Sequence, residues 1–97
     1  MQSKTLLWNT DKNEWLRRER HIGFEDVQAA MKEGKLLADL PHPNPARFPA
    51  QRVLIVEVHD ETYVVPYVDD EHAMFLKTIY PSRKARRIYG RRKTLSR

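Results

Sequence analysis

Four cations, Arg83, Lys84, Arg86 and Arg87, fall within five consecutive positions near the C-terminus, and Arg91, Arg92, Lys93 and Arg97 follow them. Residues 81–97 contain no carboxylate and carry formal +8, whereas residues 1–80 hold ten basic against thirteen acidic side chains, or −3. A block of one sign joined to a mildly acidic body suits a polyanionic partner, because contact with phosphates releases their condensed counterions. The chemistry open to such residues is that of the phosphodiester. Cleavage of RNA without a metal requires a base for the ribose 2′-OH, cationic donors for the phosphorane charge and an acid for the departing 5′ oxygen. Arg83 suits the middle role, since its planar donors match phosphate oxygens and its charge is permanent. Lys84 is a second phosphate contact or a proton donor. Arg52, which opens a predicted strand, is a further catalytic candidate. Glu57, set between Val56 and Val58, is a candidate base or a partner for Arg83. Tyr80 adjoins the basic block and can stack on a base. Arg86, Arg87, Arg91, Arg92 and Lys93 complete the nucleic-acid-binding set.

Each of these residues also has an ordinary reading. A charge run is commonly a solvated helix face or tail, and a Glu in a strand commonly sits on an exposed side. His59, two residues beyond Glu57 on the same predicted face, borders a polar turn. His21, His42 and His72 are scattered singly without ligand spacing, so no metal site and no cofactor are expected. A Gly-rich phosphate loop and a serine-nucleophile motif are both absent from the sequence.

These side chains must be positioned by a small domain. A chain of 97 residues with 40% hydrophobic content can build one core. With no cysteine there is neither a disulfide nor thiolate chemistry. No apolar run approaches the roughly 20 residues that cross a bilayer, and a cytoplasmic protein with no membrane partner is expected. Thr5–Trp8 reads as a first strand. Asp11 followed by Glu14 predicts a capped helix reaching Arg20 and broken by Gly23. Phe24–Glu33 is a second helix, with Phe24, Val27, Ala30 and Met31 facing the core and Gly34 as left-handed cap. A Pro-rich connector over 41–49 follows. Arg52–His59, Thr62–Val68 and Ala73–Tyr80 then form an antiparallel meander, with Leu54, Val56 and Val58 on one face of its first strand. The last strand's alternation places Met74, Leu76 and Tyr80 opposite Phe75, Lys77 and Ile79. Pro66 implies an edge, a bulge or a break in the middle strand. Ser82 caps a basic helix over Arg83–Tyr89, docked through Ala85, Ile88 and Tyr89. Gly90 ends it and 91–97 is a flexible tail. The fold class is α+β, a single domain over 1–90 with two N-terminal helices on a small antiparallel sheet and a short basic C-terminal helix.

This order, with motifs at both ends, resembles the BrnT branch of the RelE-type toxins. Trp8-Asn9-Thr10-Asp11-Lys12-Asn13, continuing to Arg20-His21-Ile22-Gly23-Phe24-Glu25-Asp26, is similar to the family's opening. That opening is a Trp-Asp-x-x-Lys-like start followed by Lys-His-Gly-Ile-Ser-Phe. Ser82-Arg83-Lys84-Ala85 resembles its Ser/Ala-Arg-Lys-Ala/Glu run after the last strand. His21 and Gly23 stand where the family pattern has Gly and Ser. The resemblance implies a RelE-like fold and a metal-independent RNA endonuclease that inhibits translation and growth. It places Arg83 at a position the family uses and puts an Arg near Arg52. Its partners would be RNA, including ribosome-bound message, and a cognate antitoxin, in a homodimer or a toxin–antitoxin hetero-oligomer. The alternative from another class is a non-catalytic basic module that binds nucleic acid or protein through the same segment.

Overall fold

A computed structural model describes residues 4–90; the expected tail over 91–97, with Arg91, Arg92 and Lys93, lies outside the described residues. The elements run β1 (Thr5–Trp8), α1 (Thr10–Arg20), α2 (Phe24–Lys32), β2 (Leu36–Pro41), β3 (Gln51–Val58), β4 (Glu61–Asp69), β5 (Ala73–Leu76), β6 (Tyr80–Pro81) and α3 (Arg83–Ala85). A π-helical turn over Arg86–Gly90 continues α3. The class is α+β, and the sheet is mixed instead of antiparallel. Its order is β1-β5-β4-β3-β2, with β6 also on β4, and β1 runs parallel to β5. Parallel neighbours need a crossover, and here everything from α1 to β4 lies between them.

Local chemistry accounts for the helix boundaries. Asn9, not Asp11, caps α1: its side chain accepts from Lys12 N–H at 2.8 Å, and Asp11 sits in the first turn near the helix dipole. The helix stops at His21, whose φ of 59° is left-handed, so the break precedes Gly23. Gly23 instead opens α2, where its N–H donates to the Asp26 carboxylate at 2.8 Å. Asn13 joins the two helices from a nearly buried position. Its Oδ1 accepts from Phe24 N–H at 2.7 Å and its Nδ2 donates to Glu25 at 3.0 Å. That amide, and then Arg17, hold the Glu25 carboxyl below its ordinary value. Gly34 ends α2 with φ 77°, as its spacing predicts.

Both faces of the sheet are covered. Leu54, Val56 and Val58 meet Leu16, Ile22, Phe24 and Val27 under α1 and α2. Val53, Ile55 and Val64 meet Ala85 and Tyr89 on the other side. The strand β2 has no counterpart in the expected scheme. Its exposed and half-buried side chains give an edge strand little apolar alternation, and pairing with β3 defines it. The hairpin between β3 and β4 is tighter than expected. His59 and Asp60 both take positive φ (51° and 65°) between the paired Val58 and Glu61, so His59 leaves the strand for the turn.

Pro66 explains the other departure. Its carbonyl accepts from Lys77 N–H at 2.8 Å, so its main chain faces β5 and β6 and its missing donor falls on that side. There the expected single strand divides. Between the Tyr67–Leu76 and Val64–Tyr80 pairs, β4 has two residues and its partner has three. The extra residue is a bulge, and it reverses the alternation. Ile79 therefore joins Leu76 in the core, at 0% and 1% exposure, where unbroken alternation sets them on opposite faces.

Candidate nucleic-acid interface

The basic segment is held in place from its first residue. Ser82 N–H donates to the Thr62 carbonyl at 3.1 Å, which ties the segment to β4, and Ser82 Oγ accepts from Ala85 N–H at 3.0 Å as an N-cap. Ala85 then buries against the second face of the sheet. The turn that follows is π-helical, wound wider than an α-helix. Tyr89 still packs on the sheet, but Ile88 is 49% exposed and does not dock. Arg83, Lys84, Arg86 and Arg87 all remain exposed.

A surface cleft of about 540 Å³ opens where α3 meets β4 and β6, lined by Glu61, Thr62, Pro81, Ser82, Arg83 and Arg86. Arg86 Nη1 stands 3.5 Å from Glu61 Oε1. Arg83, Lys84 and Arg87 make no ion pair or hydrogen bond through their side chains among the described residues. The body's other arginines are mostly committed. Arg17 binds Glu25 and Asp26, Arg20 binds the Ile79 carbonyl, and Arg52 binds Asp39. Arg83, Lys84 and Arg87 thus offer cationic donors that no described carboxylate occupies.

Of the residues selected by sequence, Arg83 and Arg86 come together in this cleft, with Lys84 and Arg87 on the same exposed segment. Tyr80, 41% exposed, precedes it on β6. Arg52 lies elsewhere. It pairs across β3–β4 with Tyr67, five positions along β4 from Thr62, or roughly 16 Å at the usual strand rise. Its Nε donates to Asp39 Oδ1 at 3.1 Å and to the Tyr67 hydroxyl at 3.2 Å, and its Nη2 donates to the Asp39 carbonyl at 3.1 Å. Tyr67 in turn donates to Asp39 at 2.8 Å. Burial and then the Asp39 carboxylate push the Tyr67 phenol up to about 12, against the opposing pull of Arg52.

Glu57 faces Thr62 across the β3–β4 ladder but does not line the cleft. It lines a separate depression with Asp26, Glu33, Lys35 and His59. The carboxylate in the cleft belongs to Glu61, which sequence reasoning passed over as part of a turn. Its signal was its position. A tight turn that ends at Asp60 starts β4 at Glu61, and the bulged return of the chain brings Ser82 to the same strand end. Among the described residues, no group of three or more His, Asp or Glu side chains is arranged to hold a metal ion. No described helix is long and apolar enough to cross a membrane.

The fold and the cleft together define a class: a small α+β domain with a mixed sheet and a capped basic segment beside its sixth strand. In comparisons with protein-family models, curated proteins and solved structures, nothing matches the chain.

Proposed function

We propose that the protein is a toxin of a toxin–antitoxin pair, a metal-independent RNA endonuclease that arrests translation and growth until a cognate antitoxin neutralises it. The observation that carries this reading is the cleft beside α3, where an Arg83 guanidinium without a carboxylate partner among the described residues shares walls with the Glu61 carboxylate. In this scheme Glu61 takes the proton of the ribose 2′-OH as that oxygen attacks phosphorus. Arg83 donates to the non-bridging oxygens as their charge grows, and the bond to the 5′ oxygen breaks as Lys84 supplies a proton. A 2′,3′-cyclic phosphate and a 5′-hydroxyl result. The resemblance of Ser82-Arg83-Lys84-Ala85 to the RelE-type run points the same way.

Induced expression is expected to stop growth and fragment RNA, and Arg83→Ala to relieve both. Replacing one electrostatic donor of this kind lowers turnover by about 100- to 1000-fold. Purified wild-type protein that leaves RNA intact, with ribosomes present, would falsify the nuclease assignment. A second reading, a non-catalytic binding module, is favoured by the Glu61–Arg86 ion pair, which engages the only cleft carboxylate among the described residues. Under that reading Arg83→Ala weakens RNA binding, and no cyclic phosphate forms with the wild-type protein.

A further inference from the structure

A second anchored cation, outside the cleft, sits at the far end of α1. Arg20 Nη1 donates to the Ile79 carbonyl at 2.6 Å, and its guanidinium lies over the Trp15 ring with 5.1 Å from Cζ to the ring centroid. The side chain is thereby fixed in a defined place while remaining exposed. It uses one of its five donors and has no carboxylate partner among the described residues. The next residue after Ile79 is Tyr80, 41% exposed, and no described strand pairs with the outer side of β6. Pro81 and Ser82 then lead into Arg83 and the cleft. Stacking on Trp15 and a carbonyl anchor hold Arg20 at one end of this stretch, and the Ser82 cap holds Arg83 at the other.

We infer that a single-stranded RNA runs beyond the cleft along the outer edge of β6, stacking a base on Tyr80 and placing a second phosphate on Arg20. The inference rests on the assignment of RNA to the cleft. The main chain from Ile79 to Arg83 spans at most about 14 Å, so a short run of an extended single strand covers it. An exposed aromatic ring between two cations suits a strand whose bases are free to unstack, and sequence-tolerant single-strand binders combine these same two features. A duplex keeps its bases paired and inward, so it leaves Tyr80 without a stacking partner. The bulge opposite Pro66 makes the arrangement possible. It turns Ile79 inward, and its carbonyl meets Arg20 while Tyr80 stays on the rim.

The test is fluorescence anisotropy of a labelled single-stranded RNA oligonucleotide against salt, with wild type, Arg20→Gln, Arg20→Lys, Tyr80→Leu and Arg83→Ala. Gln retains a donor for the Ile79 carbonyl and lacks the charge, and thermal melts identify variants that fold as wild type does. Arg20→Gln is expected to flatten the slope of log affinity against log salt by about 0.7, as one lost phosphate contact does, while Arg20→Lys restores it. Tyr80→Leu is expected to weaken binding about five- to a hundredfold with an unchanged salt slope. If Arg20→Gln and Tyr80→Leu bind like wild type while Arg83→Ala is weakened, RNA stops at the cleft and the extended path is wrong, with the proposed function intact. If wild type binds no RNA at low salt, both fall together.

Discussion

Replacing Tyr67 with Phe isolates the polar cluster that takes up Arg52. In the folded protein the Tyr67 ring is 2% exposed, and its hydroxyl donates to Asp39 at 2.8 Å. Its phenol is pushed up to about 12 from an ordinary value of 10.0, chiefly by burial and then by Asp39. The sign follows from proton counting. Between these two values the unfolded chain has lost the phenolic proton and the folded protein keeps it, so stability falls as pH rises through the window. The contribution is fully present below about pH 10. The full gap corresponds to about 2.7 kcal/mol. Because the hydroxyl reaches a pair of half-exposed side chains, Asp39 and Arg52, solvent screening reduces it to about 1–2 kcal/mol. Phe keeps the ring and removes a hydrogen bond to a charged acceptor, at about 1–2 kcal/mol near neutral pH. Wild type is therefore expected to exceed Tyr67→Phe by about that amount at pH 8, and the difference is expected to shrink toward zero by about pH 11.5. Urea denaturation of both proteins across this range measures it. Contributions common to both proteins cancel in the difference. A difference constant to within about 0.5 kcal/mol from pH 8 to 11.5 would refute the placement of the Tyr67 proton.

The same cluster bears on function. Arg52→Met is expected to leave the salt slope of RNA binding unchanged, whereas Arg83→Ala flattens it by about 0.7; equal losses in the anisotropy titration would show that Arg52 also contacts the phosphate chain. Asn13→Ala leaves the buried Phe24 N–H without its acceptor and Glu25 without one of its donors. A loss of about 2–3 kcal/mol is expected, which calorimetry would register as a fall of roughly 10–20 °C in Tm. A shift under about 3 °C would mean that water replaces the amide at no cost.

The sequence alone located the chemistry that depends on composition and short range. The separation of a +8 terminal block from a −3 body is a property of the chain and survives any fold. Ser82 as a cap, Gly34 as a left-handed stop and the apolar stripe of α2 are local, set within one turn of backbone, and they stand as expected. So do the two faces of β3, because a strand with period two declares them. Tertiary structure decided what depends on partners distant in sequence. The polarity of β1 depends on β5, nearly seventy residues away, and no local signal distinguishes parallel from antiparallel pairing. The residue inserted opposite Pro66 sets the parity of Leu76 and Ile79, and it exists only in the pairing with β4. As letters, Arg52 looks equivalent to Arg83, and Glu57 to Glu61. Asp39 and Tyr67 claim the first, and the register of β3 carries the second to the neighbouring depression. Glu61 gains its place beside Arg83 only because Ser82 bonds to Thr62. Charge is written along the chain, whereas proximity between charges is decided by which strands meet.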